Sequence, residues 1–215
     1  MTHRSFHKKD KPLQTTLKKQ TRLGDTYFFL SEYFHKARQL GAILPSSRYL
    51  VKKMVAPVKN RPNMVVVELG AGTGVFTRAL LQNLPKDATL LAFELNDHLV
   101  QYLTQTIQDS RVRIIQADAA DFGRYLPALG IETVHCVVSG LPLGNFKAPE
   151  RRKTLRAIEK HLDADGRYIQ FQYFLSNYKE IKETFDPISL FFEWRNIPPA
   201  FVYLCKPKKL PAVES

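Results

Sequence analysis

Three glycines and an acidic residue form a pattern that can hold a ligand against the main chain. The apolar run V-V-V-E-L at residues 65–69 leads into G-A-G-T-G, so that Glu68 precedes Gly70, Gly72 and Gly74. Glycine permits a tight turn and close approach to the backbone, and a helix N-terminus behind such a loop favours an anionic or lone-pair group. Val75 stands where the dinucleotide-binding fingerprint requires a third glycine or alanine, so the spacing indicates another ligand class.

Two further acidic residues end the next apolar runs. Glu94 closes the run A-F-E-L, and Asp118 lies in Q-A-D-A. At the carboxyl end of a strand in an open α/β sheet, Glu94 faces the ligand crevice and can accept both hydroxyls of a ribose. Asp118 can accept a hydrogen bond from an adenine amino group. Either acid alone could be a solvated strand-end residue, but together with the glycine loop they favour a nucleoside ligand.

An uncharged loop follows the fourth apolar run. Residues 139–146 read S-G-L-P-L-G-N-F, directly after the apolar residues 134–138. Two glycines, a proline and a polar pair are unsuited to filling a core, and this composition is typical of a loop. We expect the loop to let a substrate approach the backbone.

Alternating strands and helices must position these residues. The hydrophobic pattern predicts strands over residues 64–69, 88–95, 112–116, 133–138 and 167–174, and helices over 76–84, 97–107 and 150–161. Residues 188–194 and 200–205 are separated by N-I-P-P, which favours a hairpin-like pair over another βαβ unit. The predicted fold class is therefore α/β, a doubly wound sheet with an antiparallel C-terminal edge.

The chain divides into three predicted segments. Residues 1–22 form a basic, disordered arm, residues 23–60 form amphipathic helices over 26–40 and 48–55, and residues 61–210 form the α/β domain. The net charge is +12, and residues 1–60 hold 13 Lys and Arg against 3 Asp and Glu. Such a cationic segment binds the phosphates of a nucleic acid or of a membrane surface.

Several classes of protein are excluded by the composition. The sequence holds no run of 18 apolar residues, which argues against a transmembrane helix, and no apolar segment follows the basic N-terminus as in a secretory signal. The two cysteines, Cys136 and Cys205, lie in apolar runs and are expected to be reduced core thiols. The histidines lack metal-ligand spacing, so we expect no metal site. These features predict a cytoplasmic protein.

Taken together, these motifs resemble those of the class I S-adenosylmethionine-dependent methyltransferases. E-L-G-A-G-T-G resembles their first motif, the two later acids resemble the second and third, and S-G-L-P-L-G-N-F stands where the fourth lies. The resemblance implies a seven-stranded Rossmann-like sheet with S-adenosyl-L-methionine as cofactor. It places the methionine part beside Glu68, Gly70, Gly72 and Gly74, the ribose beside Glu94 and the adenine beside Asp118. Leu95, Ala119 and Ser139 are also expected to contact the cofactor.

Three segments are similar to bacterial phospholipid N-methyltransferases. They are S-G-L-P-L-G-N-F, G-A-I-L-P-S-S at residues 41–47 and R-Y-I-Q-F-Q-Y at residues 167–173. This resemblance implies methylation of phosphatidylethanolamine and its mono- and dimethyl derivatives towards phosphatidylcholine. The implied partners are the phospholipid and an anionic membrane surface, with a monomeric enzyme peripheral on the inner face of the cytoplasmic membrane. The aromatic and basic helix over residues 26–40 suits such an interface.

Three residues are candidates for the methyl-transfer step itself. The acceptor amine must lose a proton, and the loop at 139–146 carries no carboxylate base, so the hydroxyl of Ser139 or of a tyrosine could relay that proton. A quaternary ammonium product prefers aromatic faces, which favours Tyr173 and Tyr178, at and just past the fifth predicted strand. Each tyrosine could equally be ordinary amphipathic packing.

Two other functions fit part of this pattern. The first is an RNA or DNA adenine-N6 methyltransferase related to the ribosomal RNA adenine dimethylases, favoured by the basic arm. Those enzymes carry an aromatic residue that stacks on the base, whereas Leu143 occupies that place here and Ser139 the polar one. The second is an interaction module that binds the cofactor without activity. The intact glycines and the acids at 94 and 118 argue against it.

Overall fold

The computed structural model describes residues 47–208, which form a mixed seven-stranded sheet in the order β3-β2-β1-β4-β5-β7-β6. This confirms the predicted doubly wound α/β fold with antiparallel strands at its C-terminal end. The strands are β1 Val65–Leu69, β2 Thr89–Glu94, β3 Val112–Gln116, β4 Val134–Ser139, β5 Leu162–Gln172, β6 Phe185–Glu193 and β7 Ala200–Pro207.

The direction of the strands creates the crevice in which the predicted site lies. Strands β1 to β5 are parallel, whereas β7 runs antiparallel between β5 and β6. The chain runs from β1 to β3 towards one edge of the sheet and from β4 onwards towards the other edge. The loops that follow the neighbouring strands β1 and β4 therefore lead to opposite faces of the sheet. In open α/β sheets, such a switch point at the carboxyl ends of the strands is where ligands bind.

Within residues 47–208, five α-helices cover the sheet. They are α1 Ser47–Val55, α2 Val75–Asn83, α3 Asp97–Thr106, α4 Ala148–His161 and α5 Tyr178–Thr184. The first four lie within two residues of their predicted bounds. Helix α5 was not predicted, because its sequence Y-K-E-I-K-E-T is short and polar and buries only Ile181.

Strand β5 differs from its predicted bounds of 167–174. It begins at Leu162 and ends at Gln172, and its pairing with β4 is irregular between Val134 and Cys136. The polar residues 163–166 hid its beginning, because they interrupt the apolar run. As a consequence, Tyr173 follows the strand instead of lying within it.

Apolar side chains pack on both faces of the sheet. One core cluster joins the sheet to α1, α2 and α3, and the other joins it to α4 and α5. Cys136 and Cys205 are buried and unpaired, and burial raises the pKa of each thiol to about 12, so both stay protonated. His135 is satisfied by the main chain, since its Nδ1 accepts a hydrogen bond of 2.8 Å from the Val65 amide.

Several sequence-based expectations fall outside the described residues. These are the basic arm at 1–22, the amphipathic helix at 26–40, most of the segment at 41–47 and the last residues of the predicted domain. Within residues 47–208, none of the helices has the length and apolar character needed to cross a bilayer.

Candidate functional site

The glycine loop between β1 and α2 has a shape that only glycine adopts without strain. Gly70, Gly72 and Gly74 have φ values of 77°, 57° and 79°. A Cβ at Gly70 would lie 3.0 Å from Leu141 Cδ2, and one at Gly74 would lie 2.6 Å from Leu103 Cδ2. A Cβ at Gly72 would meet nothing within 4 Å. The loop is therefore packed at both ends and open in the middle, where a ligand can reach the main chain.

The Glu94 carboxylate fastens this loop to the end of β2. Its Oε2 accepts a hydrogen bond of 2.8 Å from the Gly72 amide. Its Oε1 accepts from the amides of Leu95 and Asn96, each at 2.9 Å. A carboxylate offers about four acceptor positions, so roughly one remains for a ligand hydroxyl. Glu94 thus shapes the loop and can still accept a hydrogen bond from a ribose.

Glu68 places a buried carboxyl behind the glycine loop. Its side chain is fully buried in β1, and burial raises its pKa from 4.5 to about 8, an effect that the nearby Thr77 hydroxyl and amide partly offset. Thr77 lies close to this carboxyl, but among the residues that the structure describes neither carboxyl oxygen nor the Thr77 hydroxyl makes a hydrogen bond of normal geometry. Orphaned polar atoms of this kind are expected where a ligand or a water completes the site.

The groups predicted to hold the nucleoside lie along the same edge of the sheet. Leu95 follows β2 and is 67% exposed, so its apolar side chain is available to a flat ring. Asp118 is exposed and begins a short 3-10 helix, Ala119–Arg124, where its Oδ1 accepts a hydrogen bond of 2.8 Å from the Ala120 amide. Ala119 is buried beside it. The carboxyl ends of β1, β2 and β3 are neighbours in the sheet, so the structure brings these predicted cofactor residues to one edge of it.

The loop after β4, residues 140–146, packs directly on the glycine loop and is called the acceptor loop here. The Gly140 amide donates a hydrogen bond of 2.9 Å to the Leu69 carbonyl. A Cβ at Gly140 would lie 3.1 Å from the Gly70 carbonyl oxygen. This close approach of two main chains explains why the motif needs glycine at 140, and it sets the acceptor loop beside the cofactor crevice.

Two polar side chains hold the acceptor loop in place, the fully buried Gln170 and the partly buried Arg151. Gln170 donates to the Leu141 carbonyl at 3.0 Å and accepts a hydrogen bond of 2.9 Å from the Tyr168 hydroxyl. Arg151 of α4 donates to the Phe146 carbonyl at 2.8 Å and forms an ion pair with Glu180 of α5. The loop is uncharged, but its carbonyls accept hydrogen bonds from an amide side chain of β5 and a charged side chain of α4.

A group of amide side chains surrounds the acceptor loop at Gly144. A Cβ at this position would lie 3.7 Å from each of Gln172 Oε1, Ser176 Oγ and Asn177 Nδ2. The amide nitrogens of Gln172, Asn177 and Asn145 are buried, and no hydrogen-bond partner for them exists among the described residues. These neutral donors could bind substrate oxygens. Sequence reasoning missed them; the one signal was a glutamine inside an apolar strand.

Ser139, a predicted catalytic residue, is the last residue of β4 and is fully buried. Its Oγ accepts a hydrogen bond of 3.3 Å from the Leu141 amide. The hydroxyl also lies close to that of Tyr168, whose pKa is raised mainly by burial. Ser139 is therefore part of the hydrogen-bonded support beneath the acceptor loop.

The two predicted tyrosines are not brought together. Tyr173 packs against the core on the side of α1 to α3, with its ring centroid 5.6 Å from that of Phe171. Tyr178 begins α5 on the other side of the sheet, with its ring centroid 5.8 Å from that of Tyr203. Only Tyr178 shares the face against which the acceptor loop packs, so the two rings do not form a single aromatic box.

Across residues 47–208, no group of three or more His, Cys, Asp or Glu side chains is arranged to hold an ion.

Comparisons with known proteins agree with this geometry. Residues 66–166 match the family model of a methyltransferase domain. The chain is 29% identical over 186 residues to an ornithine lipid N-methyltransferase of Singulisphaera acidiphila, covering 86% of this chain and 97% of that protein. It is 25% identical to ribosomal RNA small subunit methyltransferase A of Streptococcus gordonii, covering 77% of this chain and 63% of that protein.

Solved structures share the fold at low identity. A TehB-like SAM-dependent methyltransferase from Corynebacterium glutamicum superposes with a TM-score of 0.59 at 14% identity, covering 86% of this chain and all of that one. The N-methyltransferase NodS from Bradyrhizobium japonicum, solved in complex with S-adenosyl-L-homocysteine, superposes with a TM-score of 0.61 at 11% identity, covering 78% of this chain and 90% of that one.

The residues at this edge of the sheet fit S-adenosyl-L-methionine, the cofactor that the sequence motifs imply. The open side of Gly72 admits the ligand to the main chain, and the remaining acceptor position of Glu94 suits a ribose hydroxyl. The orphaned Glu68 carboxyl suits the amino group of the methionine part. Asp118 would border the adenine, and the exposed Leu95 side chain would contact the nucleoside.

The Glu94 contacts predict the effect of an isosteric substitution. In Glu94→Gln an amide group replaces one acceptor oxygen, so either Gly72 or the Leu95–Asn96 turn loses its acceptor. We expect the Kd for S-adenosyl-L-methionine to rise at least about tenfold in isothermal titration, which corresponds to about 1.4 kcal/mol. Asp97→Asn is the control, because the Asp97 carboxylate accepts only from Gln101 among the described contacts. Equal affinity of Glu94→Gln and the wild type would contradict this assignment.

The buried Glu68 carboxyl predicts a pH dependence of stability. With its pKa raised from 4.5 to about 8, the folded protein keeps a proton that the unfolded chain releases in this range. The free energy of unfolding should therefore fall as pH rises from 5 to 8, relative to the non-titrating Glu68→Gln. Urea unfolding of both proteins without cofactor measures this difference. A difference that stays constant with pH would show that Glu68 is ionised throughout.

Proposed function

We propose that this chain, a class I S-adenosylmethionine-dependent methyltransferase, methylates the amine of a membrane-lipid headgroup, and that its substrates are phosphatidylethanolamine and its mono- and dimethyl derivatives. The observation that carries the proposal is the similarity to an ornithine lipid N-methyltransferase, which extends over 97% of that protein. Ornithine lipid and phosphatidylethanolamine share a primary amine on a lipid headgroup. The residues of the acceptor loop support the choice of an amine over a base.

The acceptor loop lacks a surface on which a nucleobase could stack. Leu143, at the position where base-modifying relatives carry an aromatic residue, is fully buried. Phe146, the nearest aromatic residue of the loop, packs against the core on the side of α4 and α5. Flipped bases are normally held between aromatic or apolar faces, so this arrangement favours a small flexible amine.

The chemistry requires a neutral amine placed in line with the methyl carbon. The cofactor supplies an electrophilic methyl group bonded to a sulfonium sulfur. The amine lone pair forms the new N–C bond as the C–S bond breaks, and the sulfur keeps the bonding electron pair. An amine with a pKa near 10 costs about 4 kcal/mol to deprotonate at pH 7. Desolvation beside the uncharged acceptor loop lowers this cost, because burial disfavours the ammonium form.

The described residues suggest distinct roles around the amine. The Ser139 hydroxyl, held by the Leu141 amide, relays the proton of the amine to solvent water: its oxygen accepts the proton from the amine while its own proton passes to the water. Tyr178 offers its ring to the methylated ammonium on the side of the acceptor loop, whereas Tyr173 borders the crevice from the opposite face of the sheet. The unpaired amides of Gln172 and Asn177 donate to headgroup oxygens without repelling the cationic product.

We also propose that the enzyme works as a monomer at the inner face of the cytoplasmic membrane. Its net charge of +12 favours an anionic lipid surface, at about 1 kcal/mol for each Lys or Arg near that surface. Residues 47–208 offer no helix that could span a bilayer, so this part of the chain would reach its lipid from the water side.

An adenine-N6 methyltransferase acting on RNA or DNA is the second candidate. It is favoured by the similarity to ribosomal RNA small subunit methyltransferase A, although the chain covers only 63% of that relative. The buried Leu143 weighs against it.

A single assay separates the lipid and nucleic-acid functions. Purified protein and cofactor labelled on the methyl group are offered phosphatidylethanolamine vesicles, ornithine lipid vesicles or total RNA in separate reactions. We expect label in mono-, di- and trimethylated phosphatidylethanolamine on thin-layer plates, and less label with Glu94→Gln when the cofactor concentration is kept below its Kd. Label only in ornithine lipid would overturn the phosphatidylethanolamine assignment and keep a lipid amine as acceptor. Label only in RNA, or in neither class, would overturn the lipid function.

The proposed relay predicts a specific kinetic change. Ser139→Ala removes the hydroxyl, so kcat should fall about a hundredfold, in the range for loss of a proton-transfer group. The Kd for the cofactor should change less than twofold. Tyr178→Phe should retain most of the wild-type kcat, because the proposed role of Tyr178 uses its ring and not its hydroxyl. Thr154→Val is the control, because that buried hydroxyl bonds only to the Glu150 carbonyl among the described contacts. Wild-type turnover in Ser139→Ala would remove the relay role.

A further inference from the structure

Exposed apolar side chains cluster on the segments that follow β5 and end β6. We call these residues the apolar rim; their exposed fractions are 68% for Phe174, 42% for Leu175, 51% for Phe192, 69% for Trp194 and 59% for Ile197. Single exposed apolar residues are common on soluble proteins, but a contiguous group of this size marks an interaction surface.

The strand register places the apolar rim at the edge of the sheet that carries the crevice. Gln172, the last residue of β5, pairs with Phe201, and Glu193, the last residue of β6, pairs with Ala200. The turn at residues 194–199 therefore lies beside the carboxyl end of β5. Since β1, β4 and β5 are parallel, the glycine loop and the acceptor loop emerge at this same edge.

The charges around the apolar rim are arranged to leave it cationic. Glu193 is 1% exposed, and its Oε1 and Oε2 accept hydrogen bonds from Arg195 at 2.9 and 3.2 Å. Its Oε2 also lies 3.7 Å from Lys53 Nζ. The Arg195 hydrogen bonds lower the pKa of Glu193, so it stays ionised and neutralises these cations in part. Arg195 remains 43% exposed, and its guanidinium lies 3.9 Å above the Tyr49 ring.

We propose that the apolar rim docks on the surface of a bilayer that contains anionic phospholipid, with Trp194 at the level of the headgroups. An amphipathic tryptophan beside exposed apolar and basic side chains matches the composition of an interfacial contact. Docking at this edge brings the cofactor crevice over the headgroups. The inference rests on the proposed lipid function, and it adds the surface that presents the crevice to the membrane.

The chain's single tryptophan makes this contact directly observable. The full-length protein without cofactor is titrated with vesicles of phosphatidylethanolamine and phosphatidylglycerol at three to one. We expect the emission of Trp194 to shift to the blue and to be quenched by lipids brominated on the upper acyl chain. Binding of the protein to these vesicles with unchanged, unquenched Trp194 emission would overturn the proposal, as would absence of binding.

Two variants test whether the apolar rim contributes affinity. The double variant Phe174→Ser and Ile197→Ser should lower partitioning into these vesicles at least about tenfold. The reason is that each serine buries less apolar surface in the bilayer than the side chain it replaces. Ile188→Ser is the control, because Ile188 is also exposed, at 40%, but lies in β6 away from the apolar rim. It precedes Glu193, the last residue of β6, by five residues, which is about 16 Å along the strand. Equal partitioning of the double variant and the wild type would contradict the proposal.

Two further measurements separate this inference from other outcomes. The vesicle titration measures binding without turnover, so a blue shift of Trp194 emission would support docking even if the enzyme methylated no lipid. If the enzyme methylated lipid but Trp194 emission did not change on binding, the docking surface would be overturned and the proposed function would stand. Light scattering after size exclusion tests pairing through the edge strand β6. A dimer in which Trp194 is shielded from acrylamide without vesicles would assign the apolar rim to a second copy of the chain.

Discussion

The hydrogen bond from the Gly72 amide to the Glu94 carboxylate, 2.8 Å long, is the contact on which the geometry of the cofactor crevice depends. It joins the loop after β1 to the end of β2 and holds Gly72 in the left-handed conformation that leaves its open side free. Because the same carboxylate also accepts from the turn that begins α3, one side chain aligns two loops and keeps capacity for a ligand. This is preorganisation: the donors and acceptors are aligned before the cofactor arrives.

The acceptor side is built on this frame. The Gly140 amide donates a hydrogen bond to the Leu69 carbonyl, so the loop after β4 is positioned by its contact with the end of β1. Gln170 and Arg151 then hold its carbonyls from β5 and α4, which leaves the loop itself free of charge. An uncharged loop with a rigid support suits methyl transfer to an amine, because a nearby fixed carboxylate would stabilise the ammonium form that cannot react.

Much of the fold and of the cofactor crevice could be predicted because local patterns carry them. Buried parallel strands are nearly continuous apolar runs, and the glycine loop has a spacing that few backbones require. Two predictions failed, the start of β5 and the presence of α5, and both failures have local causes. Polar residues at 163–166 hid the start of β5, and the polar sequence of α5 carries only one buried residue, so its helical form depends on packing against α4 and β6.

The amide group around Gly144 could not have been found in this way, because Gln172, Asn177 and Asn145 meet only through the pairing of strands and the return of a loop. The placement of Tyr173 and Tyr178 on opposite faces follows from the point where β5 ends, which no spacing rule predicts. The sequence by itself determined the nucleoside-binding chemistry, since glycine conformation and carboxylate position are local properties. The tertiary structure alone decided which side chains meet at the acceptor loop and where apolar residues remain exposed, because burial and register are properties of the assembled sheet.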